Sequence, residues 1–240
     1  MRLSSKNESS NCHSIVMPAT SAAVLHFVFC FRIKNMRLLD LCSGTGSVSL
    51  PFVAADWEVV EVDWGPRYGP SQVIDVNAWN CPYEAGFFDV VWASPDCTQY
   101  SRARTTAKTP RDLDTADKLV QRCFELIFQL KPRFWFVENP DSGLLKTRPF
   151  MQGLPFVRVD YCMYGALYRK RTRIWTNATW APQTCDRSHL VGNRHPKTAQ
   201  RGGRGTWDPH DSCERDELHA LPARLCKEIF NVCHHTEFLY

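Results

Sequence analysis

The sequence predicts an α/β domain built on a mainly parallel sheet with helices on both faces. Two observations carry that expectation: short apolar runs alternate with helix-like segments from Met36 onward, and one of those segments is strongly periodic. The seven runs are "RLLDL" (37–41), "EVVEVDW" (58–64), "SQVIDV" (71–76), "FFDVVWA" (87–93), "RFWFVEN" (133–139), "FVRVDYC" (156–162) and "TRIWTN" (172–177). Between the fourth and fifth, Leu119, Val120, Cys123, Phe124, Ile127 and Leu130 recur at helical spacing, with Asp114 or Thr115 placed to cap the start. Near the end, "RDELHALPARLCKEIFNVC" reads as a closing helix. From Ala178 to Arg215 the composition shifts to Pro, Gly, His, Thr and Arg, and no regular element is expected.

Composition narrows the class. Apolar residues make up 44% and charged residues 22%, ordinary for a folded protein with a sizeable core. The net charge of +4 is too modest to establish a polyanionic partner by itself. Its distribution says more. Between Arg169 and Arg204 there are nine Lys or Arg against one acidic residue, Asp186. Such a field suits phosphate, and a solvated basic loop is the plain alternative. The eleven cysteines are scattered, odd in number and free of any C-x-x-C. Reduced thiols in an intracellular compartment follow, cytoplasm or a eukaryotic nucleus rather than a secreted setting. The apolar run from Ala22 to Phe31 is broken by His26 and is too short to span a membrane. A polar stretch precedes it and no small-residue cleavage site follows, so it makes a poor signal peptide.

The loop "LLDLCSGTGSVSLPF" places Gly44 and Gly46 directly after the first strand and before a helix. Glycines there allow a tight turn and a close backbone approach to a ligand, and the helix start favours an electron-rich group. Downstream, Glu61 and Asp63 end the second strand, where a carboxylate can accept both hydroxyls of a ribose. Asp75 ends the third strand, placed to accept from an exocyclic amine. Asp40, the glycines, Glu61 and Asp75 form a nucleoside-binding series. No third glycine completes a dinucleotide fingerprint, and no lysine follows for a P-loop. An adenosine cofactor without phosphates fits, and S-adenosylmethionine is the obvious one.

A second stretch, "VVWASPDCTQYSRAR" (90–104), ends a buried strand in a cysteine, Cys97. By type and place Cys97 can be a nucleophile, a metal ligand or a filler of space. Further on, Cys185, His189, His195, His210 and Cys213 raise the question of zinc. Their spacing is irregular, and chance clustering with no bound metal is the expectation.

These residues, taken together and in order from Leu38 to about Asn177, resemble the DNA cytosine-5 methyltransferase family. "DLCSGTG" resembles its cofactor glycine motif, with Cys42 where phenylalanine is usual. "EVD" (61–63) and "VIDV" (73–76) resemble its ribose and adenine motifs. "SPDCTQYS" resembles its Pro-Pro-Cys-Gln-x-Phe-Ser motif, and "VENP" its Glu-Asn-Val motif. "RKRTRIW" resembles its Gln-x-Arg-x-Arg motif, and "HALPARLCKEI" its terminal Val-Pro helix. Each motif is weak alone; their shared order is hard to obtain by chance.

The resemblance implies a Rossmann-like class I S-adenosylmethionine-dependent methyltransferase fold with a seven-stranded sheet. It implies methyl transfer to carbon 5 of cytosine in DNA, with the base flipped from the stack and the enzyme a monomer. The cofactor residues it implies are Asp40, Leu41, Cys42, Ser43, Gly44, Thr45, Gly46, Glu61, Val62, Asp63, Asp75, Val76 and Pro95. Cys97 would be the nucleophile, Glu138 the proton donor and Asn139 the holder of the loop. Arg171 and Arg173 would contact the loop and the base oxygen, one of them supplying positive charge beside the thiol. Ser101, Arg102, Arg104, Arg201 and Arg204 are the expected nucleic-acid contacts. Cytosine chemistry agrees, because carbon 5 becomes nucleophilic once a thiolate adds at carbon 6. Arg102 and Arg104 could favour that thiolate, and Glu138 could donate to ring nitrogen 3 if burial raises its pKa.

Three departures stand out: Asp96 replaces the proline before the nucleophile, Pro140 follows Glu-Asn, and Arg169 stands where the family has glutamine. The expected organisation is an extension at 1–35 that folding can do without, a catalytic domain at 36–178, a short basic target-recognition segment at 179–218, and a helix at 219–240 packing back. So short a segment, with "RGGRG" (201–205) inside it, implies a short recognition sequence or low selectivity. A tRNA cytosine-5 methyltransferase of the same fold, or a catalytically impaired binding module, would share nearly every motif.

Overall fold

The computed structural model describes residues 35–104, 107–199 and 213–235. All of them except Asn35 belong to one compact unit, Met36–Tyr240. The 1–35 extension, Asn35 apart, lies outside the described residues, as do Arg201, Arg204 and His210.

Seven strands form one sheet: β1 (Arg37–Leu41), β2 (Glu58–Asp63), β3 (Gln72–Val73), β4 (Val90–Ala93), β5 (Phe134–Pro140), β6 (Phe156–Asp160) and β7 (Arg171–Thr176), in the order β3-β2-β1-β4-β5-β7-β6. β1 pairs parallel with β2 and β4, β2 with β3, and β4 with β5; β7 runs antiparallel between β5 and β6. The helices are α1 (Ser49–Val53), α2 (Leu113–Leu130), α3 (Arg215–His219) and α4 (Ala223–His235). This is the expected Rossmann-like methyltransferase fold, with the chain order reversing between β1 and β4 so that a crevice opens at their carboxyl ends.

Strand periodicity sorts side chains onto the two faces. Leu38, Val90, Trp92, Phe136 and Ile174 join Phe52 of α1 and Leu225, Cys226, Ile229 and Phe230 of α4 in one core. Their neighbours Leu39, Leu41, Val91, Ala93, Val137 and Trp175 join Val120, Cys123, Phe124 and Ile127 of α2 in the other. A central strand buried on both faces is apolar at successive positions, so "VVWA" reads as a continuous run. Trp92 and Phe136 stack at 5.6 Å and are fully buried, and Phe136→Ala would cost about 3–5 kcal/mol.

Several boundaries differ from expectation for local reasons. β3 shrinks to two residues because Asp75 folds back to accept from the Asn77 amide at 2.9 Å. β4 starts only at Val90, since Phe87 N donates to Glu84 O in a turn. β6 stops at Asp160 and passes into a 3₁₀ turn, Tyr161–Tyr164. The cap of α2 is Asp112, whose carboxylate accepts from Thr115 N at 3.0 Å, and not Asp114 or Thr115. The closing helix is two pieces, interrupted at Leu221-Pro222, because proline has no amide proton to continue the first. Among the described residues no helix is long and apolar enough to cross a membrane.

Candidate active site

The first wall of the crevice is the loop after β1. Cys42 N donates to Val62 O at 2.8 Å and takes φ +55°, which turns the chain away from the sheet. Gly44 and Gly46 follow at φ +51° and +67°, in the left-handed region where a side chain is strained. A Cβ on Gly46 would also lie 2.9 Å from Glu61 Oε1. Asp63 locks the loop, accepting from Gly44 N at 3.0 Å and Gly65 N at 2.8 Å. Asp40 sits in the core, accepting from Ser49 Oγ at 3.0 Å while its other oxygen has no partner. Burial, only partly offset by Ser49, pushes its carboxyl up to about 8.

The second wall is the loop after β4. Cys97 is half-buried there, followed by fully buried Tyr100, whose hydroxyl donates to Asp117 of α2 at 2.8 Å. Arg148 holds the same carboxylate at 2.6 Å, and Arg111 donates to the carbonyls of Gln99 and Ser101. Asn139 Nδ2, from β5, donates to Pro95 O at 2.9 Å. Asp96 is exposed and accepts from Thr98 N at 3.0 Å and Oγ1 at 2.7 Å.

These walls border an open cleft with a cavity volume of about 130 Å³. Cys42, Ser43, Gly44, Thr45, Pro95, Cys97, Glu138 and Lys170 line it, together with Leu218, His219 and Leu221 from the segment bridging α3 and α4. Burial raises Glu138, with Lys170 opposing the rise and Tyr161 Oη donating at 3.4 Å. Burial also pushes the Cys97 thiol up to about 11; Lys170 pulls it down, while Glu138 and Asp96 add to the rise.

The cleft does not gather every residue the motifs suggested. Arg171 is held by Asp160 at 2.7 Å, and Arg173 by Asp141 at 2.7 Å with its guanidinium 3.8 Å from the Phe156 ring centre. Strand parity is the reason. Glu138 pairs with Ile174, so Ile174 and Thr172 share its face, while Arg171, Arg173 and Trp175 point to the other. Lys170, at the same parity and just before β7, supplies the cleft's cation; its Nζ donates to Leu218 O at 2.9 Å and lies 4.8 Å from the Tyr161 ring centre. Attention to the arginines of "RKRTR" hid it, and the period-two rule applied back from Ile174 would have found it. Leu41, Val62 and Val76 are core residues, and Asp75 is exposed at the end of β3. Of the expected nucleic-acid contacts, Arg102 is exposed, Ser101 Oγ accepts from Ala103 N at 3.2 Å, and Arg104 is folded onto Thr109.

A curated relative decides the family. A Frog virus 3 (isolate Goorha) protein named "Probable DNA (cytosine-5)-methyltransferase" is 34% identical over 226 residues, covering 82% of this chain and 100% of its own length. The chain belongs to the DNA (cytosine-5)-methyltransferase family. Solved structures similar to it include a prophage-encoded E. coli protein assigned as a DNA modification methyltransferase (18% identity, TM-score 0.44, 69% of this chain) and a Spodoptera frugiperda DNMT2 mutant (15%, 0.41, 63%). The chain spans about half the length of each, 53%. No protein-family model matches it. Cys97, Glu138 and part of the glycine loop share the cleft, and Lys170 is the basic side chain that lines it with them.

Proposed function

We propose that the chain transfers a methyl group from S-adenosylmethionine to carbon 5 of cytosine in DNA through a covalent bond from Cys97 Sγ to carbon 6. The observation that carries this reading is the single cleft that joins the glycine loop to Cys97, Glu138 and Lys170. S-adenosylmethionine fits the first wall: Gly46 leaves a backbone cradle that a Cβ would obstruct, and Glu61 stands beside it to accept from a ribose. Ser43, Gly44 and Thr45 would hold its polar end, and the cofactor supplies an electrophilic methyl.

The chain's own residues do the remaining work. Cys97 loses its proton and its sulfur lone pair forms a bond to carbon 6 of a cytosine flipped out of the stack. Glu138, whose protonated form burial favours, donates to ring nitrogen 3 and so neutralises the charge that the addition creates. Carbon 5 is then an enamine carbon, able to take the methyl group. Return of the ring nitrogen 3 proton to Glu138, loss of the carbon 5 proton to solvent and departure of the Cys97 thiolate restore the ring. Lys170 stabilises the thiolate, since it is the charge opposing the high thiol pKa. The basic 179–218 segment, including Arg201 and Arg204, supports phosphate contact, with Ser101, Arg102 and Arg104 on the loop beyond Cys97. The protein acts as a monomer in an intracellular compartment, with 36–178 as catalytic domain and 219–240 as a helix that packs back on it.

DNA carrying 5-fluorocytosine tests the reading, because fluorine cannot leave as a proton does. Wild type should form a covalent adduct with DNA and not with RNA, faster on single strands or mismatches, where less stacking is lost. Cys97→Ser should form none. An adduct that survives in Cys97→Ser would overturn the nucleophile, and one formed only with RNA would overturn the substrate.

A further inference from the structure

Away from the cleft, four side chains that the reaction does not use converge beside the β6–β7 edge. Cys162 comes from the turn Tyr161–Tyr164; Cys185, His189 and His195 come from the segment after β7, around the turn Val191–Asn193. One ligand atom from each, two sulfurs and two imidazole nitrogens, lies within 4.8 Å of all the others. Cys185 Sγ and His195 Nε2 are 3.6 Å apart, and the rings of His189 and His195 stand 5.7 Å apart at 59°. Tetrahedral zinc, with Zn–S near 2.3 Å and Zn–N near 2.0–2.1 Å, requires ligand atoms roughly 3.3–3.8 Å from one another. The Cys185–His195 edge already has that length, and the rest need contract by about 1.5 Å at most.

We infer that Cys162, Cys185, His189 and His195 form a structural zinc site. The frame around them is fixed before any metal arrives. Cys185 N donates to Asp160 Oδ2 at 2.8 Å, Asp160 N donates to Gln183 O at 3.2 Å, and Lys197 N donates to Leu167 O at 3.0 Å. Both ends of the 185–197 loop are therefore pinned to the sheet side, with three of the ligands between them and Cys162 facing them from the turn after β6. Two Cys and two His make a closed tetrahedral set with no position left for substrate, which is the structural kind of site. On binding, each thiol releases its proton to solvent and its sulfur bonds to Zn²⁺, which keeps its charge state.

The sequence offered three of the four ligands, Cys185, His189 and His195, but beside the wrong companions, His210 and Cys213. Cys213, which looked like the fourth ligand, donates to Thr198 O at 3.2 Å, and Cys162 lies in a separate element too far along the chain to suggest itself. With Cys162 included the pattern ends in His-x₅-His, within the spacing zinc sites use. The metal would staple the short segment after β7 to the edge of the sheet, giving internal order where few residues are available for a core. The inference is independent of methyl transfer.

The test uses the full-length chain without a histidine tag, reduced and purified from zinc-containing medium. Elemental analysis should find about one zinc per chain. After chelation, Co²⁺ should restore tetrahedral ligand-field bands together with thiolate-to-cobalt charge transfer. Cys185→Ser and His195→Gln should each weaken Co²⁺ binding by more than the roughly 10–100-fold that outer-shell changes cost, while Cys81→Ser binds as wild type does. The cobalt spectrum of the wild type decides the matter even if a variant misfolds. Absence of zinc and of cobalt uptake in the reduced wild type would overturn the site, as would a cobalt spectrum without thiolate bands or a Cys185→Ser protein of wild-type affinity. A Cys162–Cys185 disulfide that takes up no metal after reduction falls among those outcomes.

Discussion

Asn139 Nδ2 donates to the carbonyl of Pro95 at 2.9 Å, tying strand β5 to the loop two residues before Cys97. The residue before Asn139 is Glu138, so one backbone fixes the acid and the loop of the nucleophile together. Asn139 is almost fully buried, and its loss strands the Pro95 carbonyl. Asn139→Ala should therefore lower stability by about 1–3 kcal/mol in denaturant titrations. It should slow adduct formation on 5-fluorocytosine DNA while S-adenosylmethionine affinity, read by calorimetry, stays near wild type. Equal loss of both would mean that the bond supports the whole crevice and not the catalytic loop alone.

Gly46 and Glu61 are coupled through space. A methyl group at Gly46 would need φ +67° and would meet Glu61 Oε1 at 2.9 Å. The backbone strain alone is worth about 1–2 kcal/mol. Gly46→Ala should lose that much stability and bind S-adenosylmethionine more weakly. In a Glu61→Ala background the contact is gone and only the strain remains. The double-mutant cycle should thus be non-additive by about 0.5 kcal/mol or more, measured by thermal melts.

How much of this was visible in the chain depends on range. β1, α2 and the glycine loop follow from local pattern: "RLLDL" is apolar on both faces, and the α2 stripe is periodic. Cys97 and Glu138 were legible in position because Cys97 follows shortly after β4 and Glu138 lies near the end of β5, strands that apolar residues announce. Lys170 was not, because the motif drew attention to Arg171 and Arg173 while strand parity sends those two to the opposite face. His219 and Leu221 reach the cleft only because α4 packs on α1, a tertiary contact that no local signal carries. Cys162, the fourth ligand of the proposed zinc site, was hidden for the same reason, since it meets Cys185 through the pairing of β6 with β7.

Asp40 makes stability depend on pH with a definite sign. Its carboxyl is raised from 3.8 to about 8 on folding, chiefly by burial. Between those values the unfolded chain has lost a proton that the folded chain retains, so stability falls as pH rises through that window. The contribution is complete below pH 3.8 and exhausted above about 8. Asp40→Asn should flatten this part of the profile, as seen in urea titrations at intervals of pH. A wild-type profile parallel to that of Asp40→Asn across the window would show that Asp40 is ionised in the folded protein.

Cys97, Glu138 and Lys170 form a charge balance that the thiol reports directly. At neutral pH a thiol with pKa about 11 is thiolate to only about one part in 10⁴, so alkylation by iodoacetamide should be slow and rise about tenfold per pH unit. Lys170→Met removes the charge that favours the thiolate, and Cys97 should react more slowly at every pH below 11. Glu138→Gln removes the charge that Glu138 carries when ionised, so the thiol should react faster wherever that carboxyl has lost its proton. Asp96→Pro should act in the same direction, by less, because Asp96 is the weaker of the two opposing carboxylates. Peptide mass spectrometry would follow Cys97 apart from the ten other cysteines. The informative comparison is with adduct formation on 5-fluorocytosine DNA. Glu138→Gln should alkylate at least as fast as wild type yet trap more slowly, because an amide cannot protonate ring nitrogen 3 as a buried acid can. Lys170→Met should be slower in both. If Glu138→Gln were faster in both, Glu138 would be acting on the thiol alone, and the proton for the base would have to come from another group in the cleft.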